Sequence, residues 1–219
     1  PQALRIALPP LLRQQMNIVK NTSLAMAVGL VELSYASRQV EAETFKTFQA
    51  FGFATLLYIA TIGAIELLAA WTGHLLCNAA EILRYTNAGW RQRDIEAFTH
   101  LLMTVYYPLM RPYYPQANGN WDGAIIHSLM AMAVFMDNRL LFNNAVDHFR
   151  HAPVNGSIFK YIYPNGECQE SPRDQGHVQL GIGEFAGAAQ VAYTQGVDLF
   201  SMADNRIALG FEYTARFLL

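Results

Sequence analysis

From Phe48 to Ile65 the chain runs eighteen residues without a charge, FQAFGFATLLYIATIGAI, and after Glu66 the apolar character continues from Leu67 to Trp71. A run of this length either crosses a bilayer as one helix or lies wholly inside a globular core. Glu66 suits an interface as well as a buried polar position, so it does not separate the two. A second apolar stretch, Ser23 to Tyr35, is broken by Gly29 and Glu32 and is too short to span alone, although with Gln14 to Thr22 it makes a tilted or broken helix. A composition of 53% hydrophobic and 15% charged residues over 219 positions agrees that much of this chain must be buried, in lipid or in a large core.

Charge and sulfur exclude several classes. The net charge of −2, with Lys and Arg scattered, provides no basic stripe for a phosphate backbone, and nucleic acid is set aside as a partner. Cys77 and Cys168 lie far apart with no CxxC spacing, which argues against a disulfide framework or a structural zinc site, a single bridge remaining open. His74, His100, His127, His148 and His151 show no ligand spacing and read as packed or surface histidines. Neither a metal nor any other cofactor is expected from sequence. The N-terminus shows no charged region, short apolar segment and cleavage site of a secretory signal.

After Trp71 the pattern becomes that of amphipathic helices, placing a boundary between residues 1–71 and 72–219. HLLCNAAEILRYT sets Leu75, Ala79, Ile82 and Leu83 on one face, and DIEAFTHLLMTVYYPLM repeats the spacing with Ile95, Phe98, Leu102, Val105 and Leu109. Pro108, Pro112 and Pro115 end that helix, and the polar turn NGNWDG leads into a helix over Ala124 to Phe135. A further helix is expected over Arg139 to Phe149. A Gly, Asn and Pro-punctuated stretch from Ala152 to Pro172 has room for a short hairpin, and helical periodicity resumes over Asp174 to Thr194 and Asp204 to Leu219. The fold class is all-α, helical hairpins with long polar connections on one side, the layout of a partial (α/α) toroid with its site at one rim, preceded by a hydrophobic segment that can span a membrane.

Two polar clusters stand out: Asn118-Gly119-Asn120-Trp121-Asp122, and about fifty residues later Gln169-Glu170-Ser171-Pro172-Arg173-Asp174-Gln175-Gly176-His177. Read on their own they have plain structural uses. Asn118 to Asn120 can be a turn with a helix cap, Arg173 and His177 can be tied to Asp174 or Glu170, Trp121 can be core, and Asp204-Asn205-Arg206 can be a helix start with a surface charge pair.

NGNWD, GECQESPRDQGHVQLGIG and QGVDLFSMADNRIALGFEYTARF, in that order over residues 73–219, resemble the alginate lyase family, whose members cleave uronic-acid polysaccharides by β-elimination in an incomplete (α/α) toroid. Members extend beyond the point matching Leu219, with further helices and a downstream His and Tyr. The resemblance implies an acidic polysaccharide or oligouronate as partner, with Asn118, Asn120 and Arg173 neutralising the uronate carboxylate. It makes His177 the proton-transfer group, with Tyr163 or Tyr161 as phenolic acid or base, and places Gln169, Trp121 and Tyr161 against the sugar. The chemistry requires such groups, because the carbon bearing the carboxylate is too weak an acid until that charge is neutralised.

A different resemblance covers about residues 1–67. PQALRIALPPLLRQQMNIVKNTSLAMAVGLVEL, with paired prolines and a Lys-Asn-Thr-Ser-Leu step, is similar to the C-terminal part of the amino-acid permease subunits of bacterial ABC transporters. It implies a membrane component, associated through residues 48–71, as the alternative function; a non-catalytic uronate-binding remnant is a third. The two resemblances conflict in topology. A permease tail faces the cytoplasm, whereas polysaccharide is met in the periplasm or outside; Arg38 and Lys46 before the run, and Arg84, Arg91 and Arg93 after it, weakly favour a cytoplasmic C-terminal side. A toroid short of helices exposes apolar faces, so self-association is expected of residues 72–219.

Overall fold

A computed structural model describes residues 42–43 and 68–217. Among them Ala88–Leu101 belong to one compact unit, and Leu68–Asn87 with Leu102–Leu219 to a second. In the first, helix α2 (Gln92–Leu101) buries Ile95 and Phe98, as its spacing predicts, and Arg91 Nε pairs with Asp94 Oδ2 at 2.9 Å.

The second unit is built around α4 (Gly119–Phe135), of which all residues but Trp121 and Val134 are buried. A helix apolar on every side must be central. It starts five residues earlier than the periodicity predicts, because the NGNWD turn is itself the first helical turn. Left-handed Asp137 (φ 51°) ends it, and Asn138 then caps α5 (Arg139–His151) by accepting the Leu141 N–H at 3.0 Å. That tight turn sends α5 back along α4, so that His148 reaches Asp122.

Helix α1 (residues 68–85) packs on α4 through small residues. Ala70, Cys77 and Ala80 are buried, and a Cβ added at Gly73 would stand 2.9 Å from Ser128. Ser128 Oγ donates to Ala70 O at 2.5 Å and accepts the His74 N–H at 3.0 Å. The helical period is as expected, but of the face it predicts only Leu83 is buried. Leu75 and Ile82 are 59% exposed, in one stripe with Leu68, Trp71 and Tyr85, since the small-residue face is the one that lets two backbones approach.

A π-helical turn over Leu102–Tyr106 precedes the short α3 (Tyr107–Met110). Pro108 lacks the N–H that would reach back one turn, which accounts for the widened spiral there. After the short α6 (Ile158–Tyr161) the chain makes the small hairpin its punctuation suggested, an antiparallel bridge Ile162↔Cys168 with the Tyr163 N–H donating to Glu167 O at 2.7 Å. Helix α7 (Gln175–Thr194) follows, capped by Asp174, and α8 (Met202–Phe217) returns against it.

Ala203, Asp204 and Asn205 are left-handed inside the span of α8. Arg206, expected in a surface charge pair, is instead buried and donates from Nη1 to Ile162 O at 3.0 Å and from Nε to Ala203 O at 3.2 Å. The left-handed step turns it inward, where its fork satisfies carbonyls. Cys77 and Cys168 are both free and buried, and burial pushes the Cys77 thiol up. No described helix is long and apolar enough to cross a membrane; the run 48–67 and the permease-like segment lie outside the described residues.

Candidate active site

Helices α4 and α7 run in the same direction. A Cβ at Gly181 would lie 3.0 Å from that of Asn120, one at Gly123 would touch Phe185, and one at Gly187 would strike the His127 ring, so the two helices pair in ascending order. Parallel packing places both N-termini, and hence both polar clusters, at one end. His177 is one turn before Gly181, the residue level with Asn120.

Gln169 joins the clusters directly. Its Oε1 accepts the Gly119 N–H at 2.7 Å, and its Nε2 donates to Asn155 Oδ1 and to Lys160 O, each at 3.1 Å. Asn155 in turn donates to Pro115 O at 3.1 Å and to Ala117 O. The loops before α4 and after α5 are thereby locked around one amide. Asn118 is exposed at the cap position of α4 and makes no side-chain cap bond, while Asn120 is buried, its Oδ1 accepting the Trp121 N–H at 3.0 Å. Trp121 is half-buried and packs against Tyr114, with centroids 5.2 Å apart.

In the second cluster Asp174 Oδ1 accepts the His177 N–H at 2.9 Å and Oδ2 meets His177 Nδ1 at 2.6 Å. The His177 backbone N–H, then its ring, and then Arg173 hold the Asp174 carboxyl below the usual range. An ionised carboxylate on Nδ1 keeps the proton there and leaves Nε2 as the basic atom. Arg173, half-exposed, lies 3.6 Å from Glu170 and 3.7 Å from Asp174. The structural pairing considered from sequence is therefore present, and it leaves the guanidinium at the surface. Glu170 is fully buried, and neither of its oxygens has a hydrogen-bond partner among the described residues.

The two tyrosines separate. Tyr163 is 41% exposed on the hairpin, whereas Tyr161 is fully buried, stacked on Phe185 at 4.7 Å. Burial pushes the Tyr161 phenol up, and its hydroxyl makes no ordinary hydrogen bond among the described residues, with the weakly bonding Cys168 thiol nearby. Tyr161 lies buried beneath the rim.

Sequence gave no signal for a third network. Asp122, 1% exposed, accepts the Tyr114 N–H at 2.7 Å and meets His148 Nε2 at 3.2 Å, and Tyr113 stacks on His148 at 3.4 Å. Burial, with Asp122 adding to it, pushes the Tyr113 phenol up. This network fixes the loop that enters α4. Deeper along α4, His127 Nδ1 lies 2.8 Å from Glu184 Oε2 on α7 and its ring stacks on that of His74 from α1, with centroids 4.0 Å apart. Burial, then His127, pushes the His74 imidazole down to about 4.

Residues 44–219 match the family described as Alginate lyase, a stretch that takes in the apolar run before Trp71. Curated relatives include a probable amino-acid ABC transporter permease protein of Vibrio harveyi, 31% identical over 71 residues, which are 32% of each chain. A probable glutamine ABC transporter permease protein of Bacillus subtilis (strain 168) is 37% identical over 59 residues, 27% of each chain. The chain thus spans about a third or less of the curated relatives it matches. No solved structure matches it.

Proposed function

The chain belongs to the alginate lyase family, and from that premise we propose that it cleaves a uronic-acid glycan, of alginate or glucuronan type, by β-elimination at the common end of α4 and α7. The observation that carries this reading is the bond from the Gly119 N–H to Gln169 Oε1, because it ties the carboxylate-binding cluster to the proton-transfer cluster. Arg173 and the amides of Asn118 and Asn120 bind the uronate carboxylate and stabilise the charge that grows when the neighbouring proton leaves. His177 Nε2 takes that proton, with Asp174 orienting the ring. The electron pair forms the new carbon–carbon double bond, the glycosidic carbon–oxygen bond breaks, and Tyr163 on the exposed hairpin protonates the departing oxygen. Trp121 and Gln169 line the subsite, Tyr161 supporting it from below.

We infer further that the second unit is part of an (α/α) toroid. Helices α4 and α7 run parallel while α5 and α8 run against them, the alternation of inner and outer helices that such a toroid needs. The apolar stripe on α1, Leu68, Trp71, Leu75, Ile82 and Tyr85, supports self-association.

The test is near-ultraviolet absorbance of the full chain with alginate, glucuronan and a neutral glucan. A rise with a uronate alone supports elimination. Binding of oligouronate with no rise, in a folded sample, would leave the binding remnant, and partition into detergent with neither would leave the permease-derived membrane component that the shorter likenesses suggest.

A further inference from the structure

His74, His127 and Glu184 each bring one potential ligand atom within 4.8 Å of the other two. They come from α1, α4 and α7, so no spacing in the sequence could announce them. Glu184 and His127 each follow a residue of the rim by seven positions, His177 and Asn120, which puts the cluster two helical turns, about 10 Å, beneath it. The His127 and Glu184 side chains are 11% exposed, so the cluster is not sealed from solvent. His74 Nδ1 is buried and has no hydrogen-bond partner among the described residues, a costly state for an imidazole nitrogen unless something else engages it. Gly187 makes room for the His127 ring at the site, for a Cβ there would stand 2.4 Å from it.

We propose that His74, His127 and Glu184 form a divalent metal site of the zinc class, clamping α1, α4 and α7 beneath the active site. Two imidazoles and one carboxylate are the donors that zinc and its transition-metal neighbours take, and three protein ligands leave a fourth position for water. Magnesium and calcium prefer an all-oxygen set and are poor occupants. Glu184 now hydrogen-bonds His127, so entry of the ion replaces one hydrogen bond with two metal bonds and gives the buried His74 nitrogen a partner. The role is structural, because the site lies below the reacting groups and the proposed elimination does not use it. The inference stands independently of the lyase reading.

The full chain, stripped with EDTA and dialysed, is titrated with zinc chloride by calorimetry and melted with and without the ion, magnesium chloride serving as control. The expected result is one zinc per chain and a higher melting temperature, with no response to magnesium. Glu184→Gln, close in shape and able to keep its bond to His127, and His74→Gln, at a half-buried ring, should each weaken zinc binding at least about tenfold with helical circular dichroism retained. Absence of zinc binding by the native chain would overturn the proposal. So would unchanged affinity in His74→Gln, the variant that decides if Glu184→Gln fails to fold.

Discussion

Gln169 Oε1 accepts the Gly119 N–H at 2.7 Å across fifty residues of chain, while its Nε2 holds Asn155 and the Lys160 carbonyl. One amide thus closes the rim, using both its acceptor and its donors. Replacing Gln169 by Ala leaves a buried N–H unpaired and should cost about 1–3 kcal/mol in chemical denaturation, with elimination slowed beyond that loss as the first turn of α4 loosens. Gln169→Glu retains the acceptor but sets a charge against Asn155 Oδ1 and Lys160 O, and should be no better than Ala. Native-like stability in either variant would contradict the bridging role.

Arg173 serves two needs that must be separated experimentally. It binds substrate in the proposed mechanism and forms an ion pair with the fully buried Glu170. Arg173→Ala should lower kcat/KM by about 100- to 1000-fold and also destabilise the fold, by less than a wholly buried pair would because the guanidinium is half-exposed. Pairing it with Glu170→Gln should restore stability and leave activity lost. Recovery of turnover in that double variant would remove Arg173 from the chemistry.

How much of this was legible from sequence depended on whether the information was local. The start of α7 could be read because its cap and its partners, Asp174, His177 and Arg173, lie within four residues. The helical period of α1 was legible but not its inward face, since Leu75 and Ile82 are more apolar than Ala70, Gly73 and Cys77, and only the close approach to Ser128 reverses the preference. Arg206 looked like a surface charge because nothing in its neighbourhood reveals the Ile162 carbonyl it reaches, 44 residues upstream. The meeting of His74, His127 and Glu184 requires three helices in register, which periodicity cannot supply.

Tyr161 and Gly181 test the packing beneath the rim. A Cβ at Gly181 would stand within bonding distance of the Tyr161 hydroxyl, and Tyr161 is itself clamped against Phe185. Gly181→Ala should destabilise by about 2 kcal/mol or more, since the ring has nowhere to move. Tyr161→Phe removes a hydroxyl with no ordinary partner and should be neutral or slightly stabilising, with catalysis largely retained. A large loss of activity in Tyr161→Phe would mean the phenol takes part in the reaction after all.

The stripe on α1 provides a surface test. Leu75→Asp together with Ile82→Asp changes two residues that are 59% exposed, so the fold should survive. If the stripe drives association, light scattering at increasing concentration should show the native chain growing in mass and the variant not. Equal scattering from both would dismiss the stripe as the contact.

Asp174 links pH to stability and, in the proposed mechanism, to catalysis. Its carboxyl is held below the usual range, first by the His177 backbone N–H and then by the ring, so the folded state favours the ionised form. A depressed folded pKa gives a contribution that is fully present above the unfolded value of about 3.9 and is lost as pH falls through the lower folded value. Asp174→Asn keeps an oxygen able to cap α7 but carries no charge, so it should be less stable than the native chain at pH 7, and the gap should close on acidification through the carboxylate range. At pH 7 to 8 its elimination rate should also fall, because an amide can offer its NH₂ to Nδ1 and so stabilise the wrong tautomer of His177. A stability gap that stayed constant from pH 7 to about 3 would show that the charge of Asp174 contributes nothing, leaving its cap geometry as the whole of its effect.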